Sequence, residues 1–283
     1  MKQNIAKIRN GLAGIYPKEE IDAMVRIIFE QLMGYSQVDM VLRAGSEVPP
    51  FIAERISAVV EQLRNREPIQ HVLDDAYFYG MHLHVTRATL IPRPETEQLI
   101  DLIVEQNTGS DLRVLDVGTG SGCIAIALAR HLRFAQVEAL DVSGEALAVA
   151  RRNAAEMKAK VTFTEADILT AVPQNEAWDI IVSNPPYIAL SEREAMDDNV
   201  LRYEPHSALF VPDDDPLRFY RAIARYARVA LRPGGRLDFE INPRFADATT
   251  ELLRSMEFEA VELHLDYTGR RRFTSCRKAG YEP

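Results

Sequence analysis

Four consecutive residues, Asn184-Pro185-Pro186-Tyr187, combine a side-chain amide, two rigid rings and an aromatic face. The apolar run Trp178-Asp179-Ile180-Ile181-Val182 precedes them and reads as a buried parallel strand. They therefore fall beyond a strand's carboxyl end, where an open α/β sheet places its ligands. Prolines fix φ and carry no N–H, so the loop is stiff. The Asn184 side-chain oxygen and the Pro185 backbone oxygen can each accept one N–H of a planar NH2 group, and Tyr187 can cover one face of that plane. Substrate contacts are expected at Asn184, Pro185, Pro186 and Tyr187, with Asn184, Pro185 and Tyr187 carrying the chemistry. The plainer alternative is a proline turn closing a core strand, but such a turn rarely needs this set of groups.

A second group of residues suits a nucleoside. Strand Arg113-Val114-Leu115-Asp116-Val117 runs into Gly118-Thr119-Gly120-Ser121-Gly122, and a helix follows from Cys123 to Leu132. Glycines there let backbone approach a ligand and bare the helix N-terminal N–H groups. The next strand, Gln136 to Leu140, ends in Asp141, an acid placed to take both ribose hydroxyls. Asp141 could instead cap the helix from Glu145 to Met157, but Ser143 is the better N-cap. A third strand, Lys160 to Phe163, leads to Asp167, which can accept from an adenine amine, with Ile168 and Leu169 against the ring. Expected cofactor contacts are thus Gly118, Thr119, Gly120, Ser121, Gly122, Asp141, Asp167, Ile168, Leu169 and Asn184. An adenosine site beside a grip for NH2 points to methyl transfer from S-adenosylmethionine to nitrogen, leaving S-adenosylhomocysteine. Proximity and orientation can supply most of the barrier reduction without a strong base.

The elements that must position these residues follow from periodicity. Residues 1–75 read as a helical domain, with apolar stripes at Ile5, Ile8 and Leu12, then Ile21 to Leu32, then Ile52 to Leu63. Gly34 is expected to stop the second helix, a short helix to lie around Ser36 to Ala44, and Pro68 to end the helix opened by Pro49-Pro50. Residues 76–92 alternate as a β-hairpin linker, one strand over Tyr77 to Val85 and another near Thr89 to Ile91. Residues 93–283 form an α/β domain, a doubly wound Rossmann-like sheet. Arg93, locked between Pro92 and Pro94, is more constrained than a solvated arginine needs to be, whereas Glu95 and Glu97 suit a helix start anyway. The insert Ala189 to Pro212 reads as polar, irregular and substrate-facing.

Composition narrows the class. The chain has 283 residues, 47% hydrophobic and 27% charged, with a net charge of −9, and its composition gives no sign of a basic face for phosphates. Its two cysteines have no metal-ligand spacing and make no disulfide framework, so a reduced, cytoplasmic setting is expected and no metal. His82 and His84 share a strand face, but no third ligand is near. The N-terminus lacks the apolar core of a signal peptide, and no run reaches the ~18 apolar residues of a membrane span.

The chain resembles the bacterial release factor glutamine methyltransferases, the PrmC (HemK) family. The ordered motifs are Phe78-Tyr79-Gly80, Ile91-Pro92-Arg93-Pro94-Glu95-Thr96-Glu97, Asp116 to Gly122, Asn184-Pro185-Pro186-Tyr187-Ile188, Tyr203-Glu204-Pro205 with Ala208-Leu209-Phe210, and Gly269-Arg270-Arg271-Arg272. The resemblance implies a class I S-adenosylmethionine-dependent methyltransferase with a seven-stranded sheet and one antiparallel strand. It implies methylation of the glutamine in the Gly-Gly-Gln motif of class I peptide chain release factors, which the helical domain docks. A monomer without direct nucleic-acid or membrane contact is expected. Where many members continue with glycines, this chain has Val211-Pro212-Asp213-Asp214-Asp215. Alternatives are a ribosomal-protein glutamine methyltransferase, a DNA adenine methyltransferase, or a scaffold that binds without catalysis. The acidic balance and the lack of a basic target-reading insert weigh against DNA, where a base must be flipped.

Overall fold

A computed structural model describes residues 1–280. The chain begins with five helices, α1 (Lys2–Leu12), α2 (Lys18–Met33), α3 (Gln37–Leu42), α4 (Pro50–Arg64) and α5 (Ile69–Leu73). The stripes of α1, α2 and α4 converge on one core built from Leu12, Ile28, Phe29, Ile56 and Leu63. Gly34 closes α2 at φ 67, a left-handed turn that glycine enters without strain. Ser36 and Asp39 cap α3 reciprocally, each side chain accepting the other's backbone N–H. The end of α4 differs from expectation. The helix stops at Arg64, Arg66 turns at φ 61, and Pro68 opens α5 instead of ending α4. A five-residue helix is too short for a period to reveal.

The hairpin is also tighter than expected. Strand β1 (Ala76–Phe78) pairs antiparallel with β2 (Met81–Leu83). The alternating run folds back on itself at Tyr79 (φ 48) and Gly80 (φ 72), the two positive angles of a two-residue turn. Thr89 to Ile91 forms no strand. His82 is exposed and His84 lies beyond β2, and no described group of histidine, cysteine or acid has metal-binding geometry.

The α/β elements are α6 (Pro94–Gln106), β3 (Arg113–Val117), α7 (Cys123–His131), β4 (Gln136–Asp141), α8 (Gly144–Glu156), β5 (Val161–Glu165), β6 (Trp178–Ser183) and β7 (Ile188–Ala189). After them come α9 (Asp198–Tyr203), β8 (Phe210–Val211), α10 (Arg218–Ala230), β9 (Leu231–Glu240), α11 (Ala246–Ser255), β10 (Phe258–Leu265) and β11 (Arg271–Lys278). Seven strands form one sheet in the order β10-β11-β9-β6-β3-β4-β5. The pairs β3–β4, β3–β6, β4–β5 and β6–β9 are parallel, and β11 runs antiparallel to both its neighbours. Side chains alternate between two cores. Val114, Val137 and Ile180 meet α6, α7 and the hairpin on one face; Leu115, Ile181 and Leu237 meet α10 and α11 on the other. The chain moves outward from β3 through β4 to β5, then returns to β6 on the opposite side. That reversal opens a crevice at the strands' carboxyl ends.

The insert after β6 is folded, not irregular. Its base is the parallel pair β7–β8, and a 3-10 helix spans Leu190–Ala195. The acidic run following β8 is tied down: Asp213 accepts the Ser191 N–H at 2.9 Å, and Asp215 pairs with Arg221 at 2.8 Å. Contacts divide the chain into two units, residues 1–75 with 197–203, and residues 76–196 with 204 onward. Within the helical unit, the Tyr203 hydroxyl donates to the Asn65 carbonyl at 2.9 Å.

Glycine is required at the entry to α7. A Cβ on Gly122, at φ 83, would stand 3.1 Å from both Ala150 Cβ and Ile126 Cδ1, whereas one on Gly118 would meet no described atom within 4 Å. We expect Gly122→Ala to destabilise by about 2–3 kcal/mol and Gly118→Ala by roughly 1 kcal/mol, since only the first adds a clash to the unfavourable φ. Urea denaturation of both variants measures the difference.

Candidate active site

Four strand ends meet at an open cleft. After β3, Gly118 and Gly120 hold φ 74 and φ 55 and leave bare backbone along its wall. Gly118 N–H and Thr119 N–H both donate to the Leu140 carbonyl, at 2.8 and 3.1 Å, which binds the turn to the end of β4. Asp141 completes that junction. Its Oδ2 accepts the Gly120 N–H at 2.9 Å and its Oδ1 accepts the Ser143 N–H at 2.9 Å. Each oxygen keeps a lone pair, so the carboxylate can still receive two vicinal hydroxyls. Ser143, not Asp141, caps α8, accepting the Ala146 N–H at 3.1 Å.

Asp167 and Ile168 line the cleft past β5, as do Ser121 and Thr119 in the glycine turn. Of the residues expected here, Gly122, Leu169 and Tyr187 do not line it. Gly122 faces the α7–α8 packing described above. Leu169 is 37% exposed, turned outward because its N–H donates to Asp167 Oδ1 at 2.9 Å in a tight turn. Val142 takes the apolar place instead. It lines the cleft at 62% exposure, and its position directly after a strand-ending acid was the available signal.

Asn184, Pro185 and Pro186 line the opposite wall. Ser183 anchors the loop, its hydroxyl donating to the Val117 carbonyl at 2.6 Å. Tyr187 is directed away from the cleft: its hydroxyl donates to Glu240 Oε1 at 3.0 Å, and burial pushes its ionisation far above the usual phenol range. Its hydroxyl thus serves as a strut behind the loop. Asn242 adds a second strut, donating from Nδ2 to the Tyr187 carbonyl at 3.1 Å. Thr96 donates to Glu240 Oε2 at 2.6 Å, and Asn184 Nδ2 donates to Thr96 Oγ1 at 3.4 Å. Arg93 is held by Glu204 at 2.6 Å, and the same carboxylate accepts the Ile91 N–H at 3.1 Å. That explains the constraint read from its flanking prolines.

Sequence reasoning missed Thr96, Glu240 and Asn153. Fully buried Asn153 accepts the His84 N–H at 2.8 Å and donates to the His84 and Ser121 carbonyls at 2.9 Å, joining α8 to the hairpin exit and the glycine turn. No period marks it, because a buried asparagine looks like any polar helix residue.

The glycine turn with bare backbone, an acid ending β4 and a cleft at the switch point fit the nucleoside and methionine parts of S-adenosylmethionine. Together with this strand order they define a class I S-adenosylmethionine-dependent methyltransferase. A "PrmC N-terminal domain" model matches residues 4–73 and a "Methyltransferase small domain" model matches residues 95–202. A release factor glutamine methyltransferase of Bacteroides thetaiotaomicron is 42% identical over 98% of this chain and 100% of its own length. One from Flavobacterium psychrophilum is 42% identical over 91% of this chain and 92% of its own. The crystal structure of a methyltransferase from Pyrococcus furiosus shares the fold at TM-score 0.53 and 17% identity, covering 71% of this chain and 91% of that one. The chain belongs to the release factor glutamine methyltransferase family.

One buried acid of the glycine motif makes the site's stability pH-dependent. Burial pushes the Asp116 carboxyl up to about 7, against the favourable Thr119 hydroxyl and Ala125 N–H. Its folded value thus exceeds the usual carboxylate value of 3.8. The stability it contributes is complete below the unfolded value and is lost as pH rises through the folded one. Relative to Asp116→Asn, wild type should lose a few kcal/mol between about pH 4 and about pH 8, measured by urea denaturation across that range.

Proposed function

We propose that this protein transfers the methyl group of S-adenosylmethionine to the side-chain amide nitrogen of the glutamine in the Gly-Gly-Gln motif of class I peptide chain release factors. One observation carries the reading. Asn184 and Pro185 line the same cleft as the glycine turn and Asp141, so amide-accepting and nucleoside-accepting groups face one space. Relatives at 42% identity across nearly the whole chain support the choice of substrate.

The bound cofactor supplies an electrophilic methyl on a sulfonium sulfur. In this reading Gly118 to Gly122 and Asp141 hold it, Asp141 taking the ribose hydroxyls, while Asp167, Ile168 and Val142 flank the adenine. Asn184 Oδ1 and the Pro185 carbonyl accept the two N–H bonds of the glutamine amide and aim its nitrogen across the cleft. The two prolines keep these acceptors stationary, so orientation does the work that a base would otherwise do. The nitrogen gives up its proton to solvent after transfer.

Docking of the release factor falls to the helical unit (residues 1–75 with 197–203), and the methyltransferase domain follows the hairpin. An apolar set on that unit supports this: Val38, Val41 and Leu42 of α3 and Phe51 of α4 are all at least 66% exposed. A net charge of −9 supports the absence of direct nucleic-acid contact. No helix among the described residues is long and apolar enough to cross a membrane. We infer a monomer working in the cytoplasm, where its substrates are.

Two measurements test the reading. Radiolabelled methyl should pass from S-adenosylmethionine to a purified release factor, fall by about a hundredfold with Asn184→Ala, and disappear when the Gly-Gly-Gln glutamine is replaced by alanine. Label appearing on ribosomal protein or DNA instead would overturn the substrate. Asp141→Ala should weaken S-adenosylmethionine binding by at least about tenfold in calorimetry, because hydrogen bonds to a charged group are lost.

A further inference from the structure

A side-chain amide can sit in either of two orientations related by a half-turn, and only one of them presents Asn184 Oδ1 to a substrate N–H. We propose that Thr96 and Glu240 are positioning residues that dictate this orientation by fixing the direction of every proton behind Asn184. The inference rests on the amide-methylation reading above and extends it to residues outside the glycine and NPPY motifs.

The argument is one of donor supply. Glu240, the last residue of β9, is 1% exposed; burial pushes its carboxyl above the usual range, but the Thr96 and Tyr187 hydroxyls and the Arg272 charge favour the carboxylate, which presents two acceptor oxygens. Tyr187 donates to Oε1 at 3.0 Å and Thr96 donates to Oε2 at 2.6 Å. A threonine hydroxyl has one proton, and at 2.6 Å from a carboxylate that proton is committed. Thr96 Oγ1 can then only accept. The Asn184 atom 3.4 Å from it must be the donor Nδ2. The amide oxygen is thereby left for the cleft. The reversed amide would set two lone-pair-bearing oxygens against each other with no proton between them. The Arg272 charge bears on Tyr187 and on Glu240 and favours the carboxylate form of Glu240. Thr96 stands in the first turn of α6, Asn184 follows β6 and Glu240 ends β9, so the arrangement joins three segments that only the folded sheet brings together.

The test uses the full chain, with a release factor as methyl acceptor. Thr96→Val keeps the shape and removes the hydroxyl; Thr96→Ser keeps the hydroxyl. Thr96→Val should lower kcat by about ten- to a hundredfold, the scale of a misplaced reacting group, with KM for the release factor and calorimetric affinity for S-adenosylmethionine within about twofold of wild type. Thr96→Ser should return kcat to within about threefold. Glu240→Gln supplies an amide that can itself donate to Thr96, which frees the threonine proton to face Asn184; kcat should fall between wild type and Thr96→Val. If Thr96→Val does not fold, Glu240→Gln decides by its kcat alone. Wild-type kcat in Thr96→Val, or in Glu240→Gln where that variant decides, would overturn the proposal. So would a Thr96→Ser loss as large as that of Thr96→Val. Wild type serves as the separate control. If it leaves the release factor unlabelled, the functional reading fails and takes this one with it; if it labels and the variants match it, only the orientation role fails.

Discussion

A carboxylate buried to 1% exposure must be given hydrogen-bond donors, and at Glu240 they come from the start of α6 and from the NPPY loop. Leaving such a group unpaired would cost several kcal/mol, so the fold is tied to satisfying it. Burial pushes its pKa above the usual carboxylate value, while the Thr96 and Tyr187 hydroxyls and the Arg272 charge favour the carboxylate. The end of β9, the start of α6 and the NPPY loop are thereby pinned at one point. The loop depends on such side-chain ties because its prolines donate no backbone hydrogen bonds. Ser183 below, Asn242 beside and Tyr187 behind supply what a strand ladder would have supplied.

The same economy operates across the cleft. Asp141 both braces the glycine turn, through Gly120 N–H, and faces the space that the turn outlines. An acid in this place is held by the backbone it supports, so its orientation is settled before any ligand arrives. Asn153 performs the corresponding task from below, where one amide group satisfies two carbonyls and a backbone N–H. On both walls, groups that line the cleft are held in place because they also serve the scaffold.

Much of this was legible in the sequence, and the omissions have a common cause. Periods of 3.6 found α1, α2 and α4, and apolar runs found β3, β4 and β6, because each of those elements buries one continuous stripe or face. The hairpin was misjudged because alternation suggests one long strand. Phe78 and Met81 are three apart yet both buried, and that slip in phase, together with Tyr79-Gly80, marks the turn. Nothing local to Tyr187 announces that its hydroxyl meets a buried glutamate 53 residues later. Thr96 resembled any polar residue at a helix start, and its partner lies 144 residues away. Spacing reveals motifs whose members are neighbours in the chain. Hydrogen-bond partners drawn together by sheet order leave no period.

The segment from Asp197 to Tyr203 belongs to the helical unit although it emerges from the middle of the chain. On the ribosome this imposes an order of events. The apolar core of the helical unit uses no residue beyond Leu73, so its collapse can begin as soon as that stretch clears the exit tunnel. Tyr203, whose hydroxyl caps the Asn65 carbonyl, arrives 138 residues later. At about 5–20 residues per second that is a delay on the order of ten seconds. During it the glycine turn, β4 and β6 are synthesised, and the nascent helical unit waits with its last piece missing.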